Sequence, residues 1–353
     1  MTRRTSMLIG AVAVAGLFAA SGCGVESGRS ATGATDTKCP WKADDSVTTS
    51  ARIAYQKVPN ADLLVKDLGL LEACMPKAKV KWASFASGGD VVQAYGAKSV
   101  DLGLMGSSPA ATALSPPLTM PVSVVWIHEV IGTAESLVVR DPKVKDLKGL
   151  EGKTIAVPYG STAHFSLLQA LQDEGMDQGK DVKLVNLEPE KMPSAWQGKQ
   201  IDAAWVWEPV LSELKKTGHV VLSSEDTAKA GKPTYDLGTA SNAFVKQNPE
   251  FMSQWAKVED HAVKMIRDDP DKAAESVAAE LSVSKDEAKK LFAGYQYLTA
   301  AEQADKDHLG GKMATDLHTT AKFLLGQGAI KAVASPQVYA NGVDATPAQE
   351  AAK

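Results

Sequence analysis

Short apolar strands alternate with helical stretches along most of this 353-residue chain, and this order restricts the possible folds more than any other feature. The segments 52–55, 80–84, 101–105 and 122–127 have the character of strands, and the stretches between them have helical spacing. Right-handed crossovers place strands connected in this way in one lobe. The sequence therefore predicts an α/β protein with mostly parallel sheets.

A second series of strands follows the first. It begins with the strand 135–140 and continues through 154–158, 182–186, 201–207 and 220–223, before a further extended stretch at 239–245 and a mainly helical segment. We therefore expect the chain to leave a first lobe near residue 135 and to return near residue 240. The expected lobes are 39–134 with 241–353 (lobe 1) and 135–240 (lobe 2), with a hinge and a ligand cleft between them.

Residues 1–22 have the features of a signal peptide for export. Arg3 and Arg4 precede an apolar run at 7–20, which small residues follow. As a helix this run is about 21 Å long, shorter than the roughly 30 Å hydrocarbon core of a bilayer, so we do not expect it to remain as a membrane span. The segment 20–23 resembles the lipobox of bacterial lipoproteins, which implies a lipid on Cys23; a plain cleaved signal is the alternative.

The expected location is therefore extracytoplasmic, with the lipid anchoring the protein to the cell membrane. Residues 23–38 are predicted to form the lipidated tether, because 24–37 is rich in small and polar residues and has no aromatic side chain. If Cys23 carries the lipid, Cys39 and Cys74 are an even pair in an oxidising compartment. We predict a disulfide between them, and two buried thiols are the alternative.

Charge and histidine spacing argue against several other functions. The formal net charge is −4, or −6 once residues 1–22 are removed, and no basic stripe is present to bind nucleic acid. The six histidines form no HExxH motif and no Cys/His cluster with ligand spacing, so we expect no metal and no cofactor.

Nine segments together resemble one known family: 54–56, 85–88, 101–109, 134–139, 155–158, 161–168, 195–197, 201–207 and 233–236. They are similar to the taurine, aliphatic-sulfonate and nitrate group of type II periplasmic binding proteins, the substrate-binding components of ABC importers. The resemblance implies a two-lobed type II periplasmic-binding-protein fold that captures taurine by hinge closure. It also implies delivery to a membrane permease with its cytoplasmic ATPase, and we expect a monomer.

Two strand-to-helix junctions are the expected anion site. Ser107 and Ser108 follow one strand, and Ser161, Thr162 and His164 occupy the corresponding place in the second series. Free backbone N–H groups at a helix start bind anions, and a sulfonate has three acceptor oxygens and stays ionised. Each junction alone is also the pattern of an ordinary capped helix.

Asp236 is expected to select the ligand, because the resemblance implies an aspartate there that holds the ammonium group of taurine. A loop aspartate that accepts local backbone hydrogen bonds is the alternative. Glu135 is a second acid expected near the cleft, with a structural role as its alternative. Glu208 departs from the family pattern, in which a small residue follows the position of Trp207.

Aromatic and amide side chains at strand ends are expected to complete the site. In the strand 201–207, alternation places Trp205 and Trp207 on one face. Trp207 lies nearer the carboxyl end, where ligands bind in α/β folds, and is expected to cover the two-carbon chain of the ligand, while Trp205 packs in the core. Tyr55 and Gln56 end the first strand and are expected to add contacts.

Two other functions remain to be weighed. Serine, histidine and aspartate near the cleft are the components of a hydrolase triad, but no G-x-S-x-G elbow is present, so we do not expect an enzyme. The second alternative keeps the binding role and changes the ligand to another alkanesulfonate, a sulfate ester or a small zwitterion.

Overall fold

A computed structural model describes residues 37–353, and the predicted signal peptide and Cys23 lie outside the described residues. The strands are β1 Ser50–Tyr55, β2 Lys79–Ser84, β3 Leu102–Gly106, β4 Val122–Ile131, β5 Glu135–Val139, β6 Thr154–Val157, β7 Lys183–Asn186, β8 Ala203–Trp207, β9 His219–Ser223, β10 Tyr235–Ser241 and β11 Tyr295–Gln296. The helices are α1 Ala61–Leu68, α2 Leu70–Cys74, α3 Gly88–Gly96, α4 Ser107–Leu114, α5 Thr162–Asp173, α6 Met192–Gln197, α7 Val210–Lys215, α8 Ser224–Lys229, α9 Asn242–Gln247, α10 Pro249–Asp268, α11 Pro270–Leu281, α12 Lys285–Leu291, α13 Ala300–Gln303, α14 Lys312–Gly326, α15 Pro336–Asn341 and α16 Thr346–Ala351.

The strands form two separate sheets, one in each lobe. The first sheet has the order β11-β4-β10-β3-β1-β2, and the second has the order β7-β6-β8-β5-β9. In the first sheet β1 pairs in parallel with β2 and β3; in the second, β6 pairs in parallel with β7 and β8. These parallel strands are joined by helical crossovers, as the alternation in the sequence predicted.

The return to the first lobe comes earlier than residue 240. Residues 235–241 form β10, which lies between β3 and β4 and pairs with both in antiparallel fashion. Residues 242–247 are helix α9 rather than extended chain, because Ser241 caps this helix by accepting a hydrogen bond from the Phe244 amide. Strand β10 therefore forms its backbone hydrogen bonds within the first sheet, and Asp236 belongs to the first lobe.

The start of the fold is fastened by a disulfide between Cys39 and Cys74, which confirms the predicted pair. Cys74 is the last residue of α2. The helical stretch predicted between the first two strands is divided into α1 and α2 at Gly69, which adopts the left-handed conformation with φ 62°. The chain therefore changes direction at Gly69, between the first strand and the disulfide-bonded Cys74.

Each lobe has its own apolar core. The first contains the fully buried Trp126 and Trp255, whose rings meet edge to face at 6.0 Å. The second sheet is covered on both faces by apolar clusters, and Trp205 is fully buried in one of them. Among residues 37–353, no helix combines the length and the apolar character needed to cross a membrane.

Candidate ligand-binding site

A cleft between the two lobes is lined by residues of both sheets. The cleft is narrow and is bounded by two sets of residues. The first lobe contributes Gln56, Val58, Gly88, Gly106, Pro109, Ile131, Asp236 and Tyr295, and the second contributes Glu135, Ser161, Thr162 and Trp207. The chain passes between the lobes at 132–134 and again at 230–234. This cleft is the candidate site.

Three helices begin at the cleft, each immediately after a strand. Helix α3 starts at Gly88 after β2, α4 follows β3 at Gly106, and α5 starts at Thr162 after β6. Each start leaves backbone N–H groups without partners in the helix and carries the positive end of the helix dipole. Three such ends at one cleft favour an anionic group.

Two glycines allow these helix starts to meet. A Cβ atom on Gly88 would lie 2.6 Å from Cγ of Pro109, so the starts of α3 and α4 are in close contact. A Cβ atom on Gly106 would lie 2.6 Å from Cγ2 of Thr162, which belongs to the other lobe. The lobes are therefore in contact across the cleft, and the helix starts converge on a small volume.

The hydroxyl groups at these junctions have different environments. Ser161 Oγ donates to the Pro158 carbonyl at 2.6 Å and accepts from the His164 amide, so it caps α5. Ser107 and Ser108 are buried and are absent from the cleft lining. Ser107 Oγ accepts from the Tyr235 amide at 3.3 Å, while Ser108 Oγ makes no hydrogen bond within the described residues.

Two carboxyl groups from different lobes face the cleft. Glu135 begins β5 and is 1% exposed; its two oxygens accept hydrogen bonds from Thr162 Oγ1 at 2.6 Å and Ser224 Oγ at 2.7 Å. Burial raises the pKa of Glu135 to about 7, although these hydroxyl donors favour the charged form. Burial, with the negative charge of Glu135, also raises the pKa of Asp236 to about 7.

A third acid lies behind Asp236. Glu129 of β4 is the cross-strand neighbour of Asp236 and is fully buried. It accepts a hydrogen bond of 3.4 Å from Asn60, and burial raises its pKa well above the usual range, with the charge of Asp236 adding to the effect. Burial therefore favours the neutral form of Glu129, which lies beside Asp236 without adding a second charge to the wall of the cleft.

Trp207 and Gln56 lie in the cleft, as expected from their positions at strand ends. Trp207 is half-buried and lies beside Glu135 in the second sheet, since the two residues are register partners of β8 and β5. Gln56 is buried and donates from Nε2 to the Leu104 carbonyl at 3.0 Å, which fixes its orientation. Both side chains are thus held in place at the wall of the cleft.

Tyr55 and His164 do not line the cleft. Tyr55 packs edge to face on Trp82, because alternation along β1 directs it to the face opposite that of Gln56. The ring of His164 stacks on Tyr159 with centroids 4.6 Å apart, and burial lowers the pKa of His164 to about 4. This histidine is therefore neutral at physiological pH.

Several lining residues were not predicted as site residues. Val58, Ile131 and Tyr295 reach the cleft only through the pairing of distant segments, and no local pattern marks them. Gly88 carries a local signal, since the segment 87–90 repeats the strand-to-helix junction of the other two helix starts. Glu208 accepts from the Ser212 amide and from Lys215, both at 2.8 Å, so its carboxylate is directed to α7 and not to the cleft.

The chain matches a known family over most of its length. A family model described as the NMT1-like family matches residues 63–282. The chain belongs to the NMT1-like family. This NMT1-like protein is 37% identical over 264 residues to the taurine-binding periplasmic protein of Escherichia coli (strain K12), which covers 73% of this chain and 81% of the relative. The resemblance that the sequence segments indicated is confirmed.

Solved structures show the same fold as this NMT1-like chain. The periplasmic aliphatic sulphonate binding protein SsuA from Escherichia coli superposes with a TM-score of 0.68 at 20% identity, covering 82% of this chain and 97% of that one. The alkanesulfonate-binding protein SsuA from Xanthomonas axonopodis pv. citri, bound to MOPS, gives 0.66 at 22% identity over 85% and 97%. The predicted two-lobed α/β fold of a periplasmic binding protein is confirmed.

Proposed function

We propose that the protein is the extracytoplasmic substrate-binding component of an ABC importer and captures taurine by closure of its two lobes. The observation that carries this proposal is the presence, in one cleft, of three helix starts and two carboxyl groups from opposite lobes. Taurine carries a sulfonate and an ammonium group separated by two carbons. The sulfonate suits the positive ends of the helices, and the ammonium group suits the carboxyl groups. The E. coli relative named for taurine supports this ligand.

The sulfonate is placed at the helix starts of α3, α4 and α5. Backbone N–H groups at Gly88, Gly106 and Thr162 are the proposed donors, and the sulfonate oxygens are the acceptors. Ser161 keeps its hydroxyl on the Pro158 carbonyl and contributes by capping α5. Because a sulfonate stays charged at all physiological pH values, dipoles and N–H groups suffice to hold it, and no metal is required.

The ammonium group is placed between Asp236 and Glu135. Glu135 is buried and Asp236 is partly buried; two such carboxyl groups that face one space repel each other when both are ionised, and a cation between them relieves that repulsion. Trp207 lies beside Glu135 and covers the two-carbon chain of the ligand. Gln56, on the first lobe, closes the opposite wall of the cleft.

Binding without catalysis is supported by the surroundings of the serine and the histidine. Ser161 Oγ donates to a backbone carbonyl, and His164 Nδ1 accepts from the Gly160 amide at 3.2 Å. A hydrolase needs the histidine to accept the proton of the serine hydroxyl, but this hydroxyl donates to the Pro158 carbonyl and no hydrogen bond joins the two side chains.

The lipid anchor at Cys23, the permease with its ATPase and the monomeric state complete the proposal. The test of the anchor is detergent phase partitioning of the protein expressed in a bacterial host. Native protein is expected in the detergent phase and the Cys23→Ser variant in the aqueous phase. Aqueous native protein would contradict lipidation.

The binding proposal is tested by calorimetric titration of the protein lacking residues 1–23. Taurine is compared with ethanesulfonate, which lacks the amine, and with β-alanine, which replaces the sulfonate with a carboxylate. We expect taurine to bind most tightly. Equal binding of taurine and ethanesulfonate would indicate a general alkanesulfonate carrier, tight binding of β-alanine would indicate a small-zwitterion carrier, and no binding would overturn the sulfonate site.

The role of the carboxyl group is tested with Asp236→Asn. This variant keeps the shape of the side chain and removes the charge that faces the ammonium group. Loss of a hydrogen bond to a charged group costs about 1.5–3 kcal/mol, so the Kd for taurine is expected to rise roughly 10- to 150-fold. The Kd for ethanesulfonate is expected to fall, because the variant removes the repulsion between Asp236 and Glu135. Asp286→Asn, at an exposed position in the first turn of α12, makes the same charge change away from the cleft and is the control.

A further inference from the structure

A buried cluster of three ionisable side chains lies in the core of the first lobe. Asp62 in the first turn of α1, His128 on β4 and Glu259 on α10 are 2%, 1% and 0% exposed. His128 Nε2 lies 3.6 Å from Asp62 Oδ2, and His128 Nδ1 lies 3.8 Å from Glu259 Oε2. One nitrogen or oxygen from each residue lies within 4.8 Å of the others. Three distant parts of the chain therefore converge at one point.

The polar atoms of this cluster receive no hydrogen bond from the rest of the protein. Among the described residues, no group outside the cluster donates to Asp62 Oδ1, His128 Nδ1 or either carboxylate oxygen of Glu259, and Asp62 and Glu259 pair with each other only when they share a proton. Buried polar atoms are almost always paired, because an unpaired one costs the full free energy of its desolvation. When both carboxyl groups are ionised, the cluster is therefore incomplete with the protein atoms alone.

The charge of the cluster is also uncompensated. Within residues 37–353, no lysine or arginine forms an ion pair with Asp62 or Glu259; the nearby Lys66, one turn further along α1, pairs with Glu280 at 2.7 Å. Two carboxyl groups with a single histidine require either bound protons or a further cation.

The distances fit a metal ion better than direct hydrogen bonds. Separations of 3.6 and 3.8 Å exceed the 2.7–3.2 Å of an N–H···O hydrogen bond. Two ligand atoms bound at 2.0–2.2 Å to a tetrahedral ion lie about 3.4 Å apart. Only one ring nitrogen of His128 can bind the ion, so one of these two separations is a distance between two ligand atoms.

We infer that Asp62, His128 and Glu259 bind a divalent transition-metal ion, for which Zn²⁺ is the best fit. One imidazole nitrogen, one oxygen of Asp62 and one oxygen of Glu259 supply three ligand atoms, and a buried water would complete the tetrahedral coordination that zinc prefers. Calcium and magnesium fit poorly, because they take six or more oxygen ligands or retain several waters.

The surroundings are those of a structural site. Trp255 packs edge to face on His128 at 6.4 Å, and a Cβ atom on Gly238 would lie 3.1 Å from His128 Nε2, so glycine there leaves room for the imidazole. The ion joins α1 and α10 to β4, the strand whose next residue, Glu129, supports Asp236 at the cleft. Its role is to fix the wall behind the ligand, and this inference does not depend on which ligand binds.

The test measures metal in the untagged native protein. The protein is unfolded in a chelator, freed of metal, and refolded without metal or with an equimolar amount of Zn²⁺, Ca²⁺ or Mg²⁺. We expect about one zinc ion per chain by elemental mass spectrometry and a midpoint of thermal unfolding about 5 °C or more above that of the metal-free protein. Ca²⁺ and Mg²⁺ should leave the midpoint unchanged.

Variants locate the ion. His128→Gln and Glu259→Gln are expected to bind no zinc at equimolar metal, whereas His219→Gln, on β9 of the other lobe, keeps one ion per chain. Because a buried variant can fail to fold, X-ray absorption of the zinc-loaded native protein provides a second measurement, with nitrogen and oxygen ligands and no sulfur expected. Native protein that refolds without zinc uptake and without a change in midpoint would overturn the inference and assign protons or buried water to the cluster.

Discussion

Replacing Gly106 with alanine is expected to weaken ligand capture by obstructing the contact between the lobes. Gly106 has φ −65° and ψ 163°, a conformation open to any residue, so alanine is compatible with the backbone of the first lobe. Its Cβ atom would lie 2.6 Å from Thr162 Cγ2 in the second lobe. Carbon atoms in favourable contact are 3.5–4.0 Å apart, so closure is blocked by about 1 Å.

The size of the effect follows from the two ways of relieving this clash. The lobes stay apart by about 1 Å, or Thr162 turns and gives up its 2.6 Å hydrogen bond to Glu135. Overpacking of this kind costs about 1–3 kcal/mol, and a hydrogen bond to a charged group is worth about 1.5–3 kcal/mol. Either way, the Kd for taurine is expected to rise roughly 5- to 150-fold.

A second-site variant makes this prediction specific. Thr162→Ser removes the Cγ2 atom and keeps the hydroxyl that donates to Glu135, so the double variant Gly106→Ala/Thr162→Ser is expected to regain most of the affinity in calorimetric titrations. Gly326→Ala is the control, because a Cβ atom there meets nothing within 4 Å. Native affinity in Gly106→Ala, or a double variant no better than the single one, would refute the argument that this contact limits closure.

Four further predictions concern the charges, in binding and in stability, the aromatic wall and the disulfide. Burial raises the pKa values of Glu135 and Asp236 to about 7 each, so taurine affinity is expected to fall as the pH drops from 8 to 6, by up to about tenfold per pH unit and carboxyl group. Ethanesulfonate affinity is expected not to fall over this range. Parallel pH profiles for both ligands in titration calorimetry would contradict this prediction. In the ligand-free protein the sign for stability is opposite: the folded carboxyl groups keep protons that the unfolded ones release, so the free energy of unfolding decreases as the pH rises from about 5 to 7, which urea titrations at several pH values measure. Trp207→Ala should raise the Kd for taurine about 10-fold through lost apolar contact, with unchanged secondary structure by circular dichroism, and native affinity would remove this side chain from the site. Cys74→Ser should lower the free energy of unfolding in urea by about 3–4 kcal/mol, because it opens a 35-residue loop, with taurine affinity retained; equal stability in both proteins would show that the bond does not limit unfolding.

Adjacent residues show how far the site follows from the sequence. The junctions before α4 and α5 and the acids Asp236 and Glu135 are readable as motifs and do lie at the cleft. Alternation along β1 separates Tyr55 from Gln56, but it does not tell which face meets the second lobe, and only Gln56 lines the cleft.

The serines of α4 illustrate a second limit. Ser107 and Ser108 mark the helix start correctly, yet their side chains are buried beside it, and the backbone of Gly106 lines the cleft instead. A sequence motif locates the junction, whereas packing decides whether the side chain or the backbone faces a ligand.

The fold order was predictable and the lobe boundary was not. Parallel strands with helical crossovers have a periodic pattern, so both series were recognised. Strand β10 inserts in antiparallel fashion between β3 and β4, and nothing local distinguishes that pairing from a strand of the second lobe. The same insertion gives Asp236 to the first lobe, where it faces Glu135 of the second.

That arrangement links ligand choice to lobe closure in the proposed function. Asp236 and Glu135 approach each other only when the lobes close, and their mutual repulsion opposes closure whenever both are ionised. An amine-free anion accepts the hydrogen bonds of the helix starts but leaves this repulsion in place. Its net binding free energy is therefore reduced by the free energy needed to bring the two carboxylates together. A ligand with an ammonium group at the right distance converts the repulsion into two attractions. The closed form is then stabilised most by a zwitterion, because the same charge pair that selects the amine also resists closure without it.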